Sequence, residues 1–218
     1  DLQKLIARRM LLSMDKHNIN GEPSFYKLWK EIFPPMIKDR KFASKEGSFN
    51  YILKHTMYRP RQLQTILIHL SKCTQSAINS SKICENVGRV SKMLAENFFA
   101  EYSIELSYQK QLEKRLRRKS NVLSYNDFKN IVFEAEEQSH SDDINVIMNH
   151  LYLTGFFGIS MESKEKVKID FFFVDQARPN LHNFGVEDLV VIHPMFYSFL
   201  DLHIDRQIIA DHNTDYIL

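Results

Sequence analysis

Cysteine is scarce in this 218-residue chain, where Cys73 and Cys84 are the only two. Two thiols make neither a disulfide scaffold nor a zinc site, so a small secreted framework is excluded and a reducing, cytoplasmic setting is expected. Glycine is sparse as well, occurring only at Gly21, Gly47, Gly88, Gly155, Gly158 and Gly185. No two of them have the spacing of a phosphate-cradling P-loop, and neither G-x-G-x-x-G nor the nucleophile elbow G-x-S-x-G occurs. The nine histidines are scattered rather than grouped as ligands, which leaves a metal cage unsupported. No run of 18 apolar residues exists, so no membrane-spanning helix is expected, and no secretory leader pattern is seen. Internal repeats and low-complexity tracts are missing too. The chain opens at Asp1 directly on a helical pattern, which gives the expectation of a piece of something longer. These absences together predict a non-catalytic chain with no cofactor of its own.

What is present is a globular mixture, 44% hydrophobic and 26% charged, which excludes a wholly disordered chain. The net charge of +2 hides a division. Residues 1–119 hold 23 Lys and Arg against 11 Asp and Glu, a balance of +12, while residues 120–218 hold 6 against 16, a balance of −10. Such a split predicts two modules with different partners: a basic helical bundle over 1–119 and an acidic domain over 120–218.

The basic part reads as all helix. An amphipathic start over Leu2–Met14 gives way to a polar stretch. Pro23 and Ser24 open a short helix, Phe25 to Phe33, which Pro34-Pro35 stops. A polar loop, Lys38 to Gly47, leads to a short helix from Phe49 to His55. The next begins at Pro60, with Leu63, Ile66, Leu67, Leu70, Thr74 and Ala77 on one face of a 3.6-residue period. A longer helix after Asn79-Ser80-Ser81 carries Val87, Val90, Leu94 and Phe98, and Ser103 is the expected cap of another that runs to about Arg118.

In the acidic part, Ser124 followed by Asp127 has the form of a capping box with Asp in place of Glu. Phe128, Ile131, Val132 and Ala135 form a helical stripe, and Ile144, Ile147, Met148 and Leu151 form a second. Gly155 stands where a left-handed C-terminal residue belongs. The period then changes to 2: Phe156–Ser160 reads as one strand and Val167–Phe173 as its return. Pro194 opens a closing helix, Met195 to Leu202. Helix, helix, hairpin and closing helix is the order of a winged-helix domain, with residues 142–154 in the recognition position. The predicted class is therefore mainly α: a helical bundle followed by a winged-helix domain with a small β-hairpin wing.

The sharpest local feature is Tyr58-Arg59-Pro60-Arg61-Gln62-Leu63. Two arginines beside a proline-led helix start are physically awkward, because each cation there costs about 0.3–1 kcal/mol at an exposed end. A nearby anion reverses the sign, either a carboxylate of the same chain or a phosphate from outside it. The order Asn50-Tyr51-Ile52-Leu53, then Tyr58-Arg59-Pro60-Arg61-x-Leu63, then Ala100-Glu101-Tyr102-Ser103, then Leu151-Tyr152-x-x-Gly155, then Ile192-His193-Pro194-Met195-Phe196 resembles the C-terminal region of bacterial P-loop ATPases of the AAA/STAND kind. In that family an R-P-R-D-L motif opens a lid helix, a Y-S motif opens a later helix, and a winged-helix domain follows. One departure is Gln62, where the family pattern has Asp. The resemblance implies that Arg61, with Arg59 as second candidate, approaches a nucleotide held by another domain. It also implies that the ATP and magnesium sites lie upstream of Asp1, in an N-terminal ATPase domain that is this chain's partner.

A second feature is the basic run Lys110, Lys114, Arg115, Arg117, Arg118 and Lys119. The helix dipole favours cations at a helix C-terminus, so a solvated helix end and a nucleic-acid patch are both open readings. Arg8, Arg9, Lys38, Arg40 and Lys41 are further cations available to such a patch. DNA or RNA would be gripped by these residues without sequence choice. The recognition position points the other way, since residues 139–155 contain no Lys or Arg and carry Asp142 and Asp143. Base readout needs Arg, Lys, Asn or Gln and cations to tolerate phosphate. Only the wing, with Lys164, Lys166 and Lys168, is basic. The acidic domain is therefore expected to pack on a protein surface, its own chain's or a neighbour's, and Phe171-Phe172-Phe173 fits that expectation. The leading reading is a regulatory and assembly module of a larger P-loop ATPase. Its rivals are a nucleic-acid-binding module, using residues 110–119 and the wing, and a free-standing structural protein.

Overall fold

The computed structural model describes residues 25–39, 44–72, 78–103, 107–136, 143–162, 167–170 and 188–205, and ahead of them the helical residues Gln3, Lys4, Ile6 and Arg8. The chain is mainly helical, with two small antiparallel sheets among the described residues. Helix α1 (Phe25–Ile32) buries Phe25, Leu28 and Trp29, the i, i+3, i+4 face of its period. Trp29 stacks on Phe33 with ring centroids 4.1 Å apart, and its Nε1 donates to Ser48 Oγ at 2.7 Å. The chain then forms a hairpin, β1 (Met36–Asp39) with β2 (Ser44–Gly47), where the sequence reads as a loop. The strand Ser44-Lys45-Glu46-Gly47 has no apolar alternation, so no period-2 signal marks it. What fixes the hairpin is Ile37, fully buried on β1, and the ion pair from Glu46 to Lys54.

Helix α2 (Ser48–Leu53) and helix α3 (Pro60–Lys72) follow, α3 burying Leu63, Ile66 and Leu70. Thr74 and Ala77 lie outside the described residues. The longest helix, α4 (Ser80–Glu101), is capped by Asn79, whose side chain accepts from the Lys82 amide, and buries Val87, Val90, Leu94 and Phe98 as the period requires. Helix α5 (Gln109–Leu116) starts later than Ser103: Tyr108 stands at its N-cap without a side-chain hydrogen bond, and Ser103 sits in an exposed turn.

Beyond Lys119 the order is strand, two helices, then three strands. The sheet runs β3 (Val122–Ser124), β6 (Leu189–Ile192), β4 (Phe157–Glu162), β5 (Val167–Asp170), all antiparallel. The last strand in sequence lies between the first and second, and Val190, Val191 and Ile192 are buried there. The short β3 carries only three residues, too few for an alternation to show. Helix α6 (Tyr125–Glu136) begins as its sequence predicts: the Asp127 amide donates to Ser124 Oγ at 3.0 Å, and that hydroxyl donates to Asp127 Oδ2 at 2.7 Å. The shorter Asp thus holds the cap through the hydroxyl rather than by reaching the backbone. Helix α7 (Ile144–Leu153) ends in a Schellman motif. Gly155 takes φ 78°, its amide bonds Tyr152 O at 2.9 Å, and the Phe156 amide bonds Leu151 O at 3.0 Å. The closing segment is a 3₁₀ turn, Pro194–Phe196, continuing into α8 (Tyr197–Leu200). Phe171–Phe173, Lys164 and Lys166 lie outside the described residues, as does the side chain of Lys168.

One apolar core runs through both charge halves. Phe98 and Phe99 on α4 meet Phe156 and Phe196, with centroids 5.0 Å apart for Phe98–Phe196 and 4.6 Å for Phe156–Phe196. Asn121 ties the same region together from the polar side. Its amide nitrogen donates to Tyr197 Oη at 3.0 Å, and its side-chain oxygen accepts from the Asp205 amide at 2.7 Å.

Candidate functional site

The segment between α2 and α3 is built to present arginine. Thr56 ends α2 by donating from its amide and its hydroxyl to Leu53 O, at 2.9 and 2.7 Å. The chain reverses at Tyr58, which takes φ 53°, a left-handed conformation that costs an ordinary residue roughly 1–2 kcal/mol. Gln62 offsets this, because its Oε1 accepts from the Met57 amide at 2.7 Å and closes the turn from inside α3. A Gln at this position therefore braces the backbone, a bond that the shorter Asp of the R-P-R-D-L pattern spans less easily. Pro60 sits at the first helical position, where a missing N–H is harmless, and Arg59 O accepts from the Gln62 and Leu63 amides.

The two arginines part company here. Arg59 donates to Glu101 Oε2 at 3.1 Å and to Tyr102 Oη at 3.3 Å. Burial works against its charge, but the hydrogen bond it donates to Tyr102 and the carboxylate of Glu101 outweigh that and hold the guanidinium above its ordinary pKa. Its negative partner is thus inside the chain. Arg61 points to solvent and has no acidic partner among the described residues. The segment Ala100–Ser103 stands 42 residues away in sequence yet supplies both groups that hold Arg59. Sequence reasoning gave Glu101 and Tyr102 no site role. They stand in the Ala100–Ser103 motif, but nothing in that pattern marks their contact with Arg59, which is tertiary.

Tyr102 also stands edge-on to His150 of α7, with centroids 6.0 Å apart. A second link joins α2 to the closing segment through two buried histidines. His55 Nδ1 donates to Tyr51 O at 2.8 Å, and His193 Nδ1 accepts from the Met195 amide at 3.2 Å as the cap of the 3₁₀ turn. Full burial, with His55 nearby as a lesser cause, pushes the His193 pKa down to about 3. The arginine turn therefore lies between α2 and α3 and against the C-terminal end of α4, where Tyr102 in turn reaches His150 of α7.

The basic run is partly neutralised. Arg115 pairs with Glu134 on α6, and Arg118 Nε lies 3.5 Å from Asp201 Oδ2. Lys110, Lys114, Arg117 and Lys119 are exposed, with no acidic partner among the described residues. Arg8 and Lys38 are exposed as well, and Arg9, Arg40 and Lys41 lie outside the described residues. Among the described acids between the end of α6 and the start of α7, Glu134 is taken by Arg115, Glu136 is buried, and Asp143 caps α7 by accepting from the Asn145 amide. Among the described residues no group of three or more His, Cys, Asp or Glu can hold a metal ion, and no helix is long and apolar enough to cross a membrane.

Residues 1–99 match the family model of a FunZ-associated C-terminal helical domain. No curated protein and no solved structure matches the chain. The matched segment includes the arginine turn and most of α4 but stops short of Glu101, the acid that holds Arg59.

Proposed function

We propose that this chain is a non-catalytic accessory module of a larger P-loop ATPase, relaying nucleotide state through the entrance of α3 and making protein contacts through a winged-helix domain. The observation that carries the reading is the division between the two arginines. Arg59 is spent inside the chain as an anchor, while Arg61 is left open at a helix start that disfavours a cation unless an anion faces it. Arg59 fixes that start to Glu101 and Tyr102, and Tyr102 touches α7, so a force on Arg61 has a packed route into the second half. The match to a C-terminal helical domain associated with another protein supports an accessory role.

The winged-helix assignment rests on the order α5, β3, α6, α7, β4, β5, β6, with the two helices between the first two strands. The outward side chains of α7 support protein contact over DNA readout. Val146 is 60% exposed and Leu153 40%, with Phe133 of α6 at 47%, and the helix holds no Lys or Arg. On this reading the nucleotide and its magnesium belong to residues upstream of Asp1. The test is ATP turnover by the longer protein that carries the chain. Arg61→Ala should lower turnover at least about tenfold, a loss of about 1.4 kcal/mol, without lowering the melting temperature. Unchanged turnover in Arg61→Ala, or a longer protein that binds no nucleotide, overturns the reading.

A further inference from the structure

Helix α5 has two unlike sides. Leu112 and Leu116 are buried, and Arg115 beside them reaches across to Glu134 on α6. Lys110, Lys114 and Arg117 stand at i, i+4 and i+7, within an arc of about 60° on the opposite, solvent-facing side. They follow one another at intervals of roughly 6 and 4.5 Å along the axis. The chain then turns away at Arg118, which takes φ 62°, before Lys119. The helix's one acid, Glu113, is engaged by Gln109 at the flank of this stripe.

Helix capping accounts for only part of the pattern. Lys114 sits in the last turn, where the dipole favours a cation. Lys110 sits in the first turn, which contains no acid and where the dipole disfavours a cation. An extended anion along the whole face removes that conflict.

The geometry points to a nucleic-acid backbone as that anion: Lys110, Lys114 and Arg117 grip successive phosphates without reading sequence. Three classes of anionic partner differ in what else they require. A membrane-surface helix needs apolar side chains flanking its cations, and a protein hot spot is built on Trp, Tyr or Arg packed into a desolvated patch. The exposed large hydrophobic residues among those described are Tyr26, Met36, Ile68, Phe133, Val146 and Leu153, and none lies on α5. A phosphate polymer needs only cations at intervals. Sequence readout is not part of the contact, because α7 carries no Lys or Arg to tolerate the phosphates beside its Asn145 and Asn149. The site is independent of Arg61 and of any ATPase.

The experiment is fluorescence anisotropy with a labelled DNA duplex of arbitrary sequence and, separately, a labelled single-stranded RNA, each over a salt series. With three phosphates neutralised, binding should fall with salt at a log–log slope of about −2.7 for the duplex and about −2.1 for the single strand. The triple variant Lys110→Ala/Lys114→Ala/Arg117→Ala should bind at least about tenfold more weakly and lose most of that slope. A control, Lys27→Ala/Lys30→Ala/Lys92→Ala, removes the same charge from exposed positions on α1 and α4 and should change affinity by less than about twofold. Thermal melts of both variants should overlay the parent's, since all six side chains are exposed. The proposal is overturned by no salt-dependent binding to either polymer, or by equal loss in the control. Tighter, stripe-dependent binding to phosphatidylserine vesicles than to nucleic acid overturns it as well.

Discussion

His193 shows how much one side chain can carry. It caps the 3₁₀ turn with Nδ1 as acceptor, so it serves the fold only while that nitrogen is unprotonated. Burial and the neighbouring His55 keep it so, with a folded-state pKa of about 3 against an ordinary 6.5. A depressed pKa means that the unfolded chain takes up the proton first. The contribution is whole above pH 6.5 and is lost as pH falls from there towards 3. Urea unfolding at stepped pH should therefore show the midpoint falling steadily below pH 6.5. His193→Asn keeps a capping oxygen but cannot titrate, and its midpoint should fall distinctly less over the same range, whatever its absolute stability. Equal slopes in the two proteins would remove His193 as the cause. Arg59 is the opposite case. Its pair with Glu101 is about half exposed on both sides, so solvent screens it to roughly 0–1 kcal/mol, and it matters for where it points α3 rather than for stability.

At the scale of elements, the approach of α4 to α8 depends on a missing side chain. A Cβ on Gly88 would meet Ser198 Oγ at 3.2 Å, tighter than an ordinary contact. A mid-helix glycine costs about 0.5–1 kcal/mol relative to alanine, so two effects of opposite sign compete in Gly88→Ala. Removing the hydroxyl separates them. In a Ser198→Ala background, Gly88→Ala should raise the unfolding free energy by about 0.5–1 kcal/mol, while in the parent the gain should be smaller or reversed. A double-mutant cycle by chemical denaturation reads the difference directly. The sequence made such helices legible where a period of 3.6 and a capping residue coincided, as at Asn79, Ser124 and Gly155. It hid β1, β2 and β3, whose three or four residues are too short or too polar to carry a period. It also displaced the start of α5, because Ser103 has the chemistry of a cap and Tyr108 does not. The site was half legible: Arg59 and Arg61 stood out as charge in the wrong place, whereas Glu101, Tyr102 and His150 became partners only through folding. Several of the motif residues that carry the ATPase resemblance, Tyr51, Ile52, Leu53, Tyr152 and His193 among them, are buried, so that resemblance records how the chain packs.

For the whole molecule, charge and packing divide the chain differently. Net charge changes sign near residue 120, yet the aromatic contacts of Phe98, Phe99, Phe156 and Phe196 cross that point without a break. A continuous core predicts cooperative unfolding of both halves, and the composition supplies a reporter. Trp29 is the only tryptophan, and it lies among Phe25, Phe33 and Phe49 at the far end of the first half. Phe196 is fully buried in the second. Truncating it to alanine should remove about 3–5 kcal/mol. If the halves fold as one unit, Trp29 fluorescence and far-ultraviolet circular dichroism should follow a single transition in Phe196→Ala, both shifted by the same amount. A Trp29 transition left in place while the dichroism signal splits would mean that the boundary in charge is also a boundary in folding. Coincidence of the two would mean that a push on Arg61 at the head of α3 and a contact on α7 act on the same cooperative body.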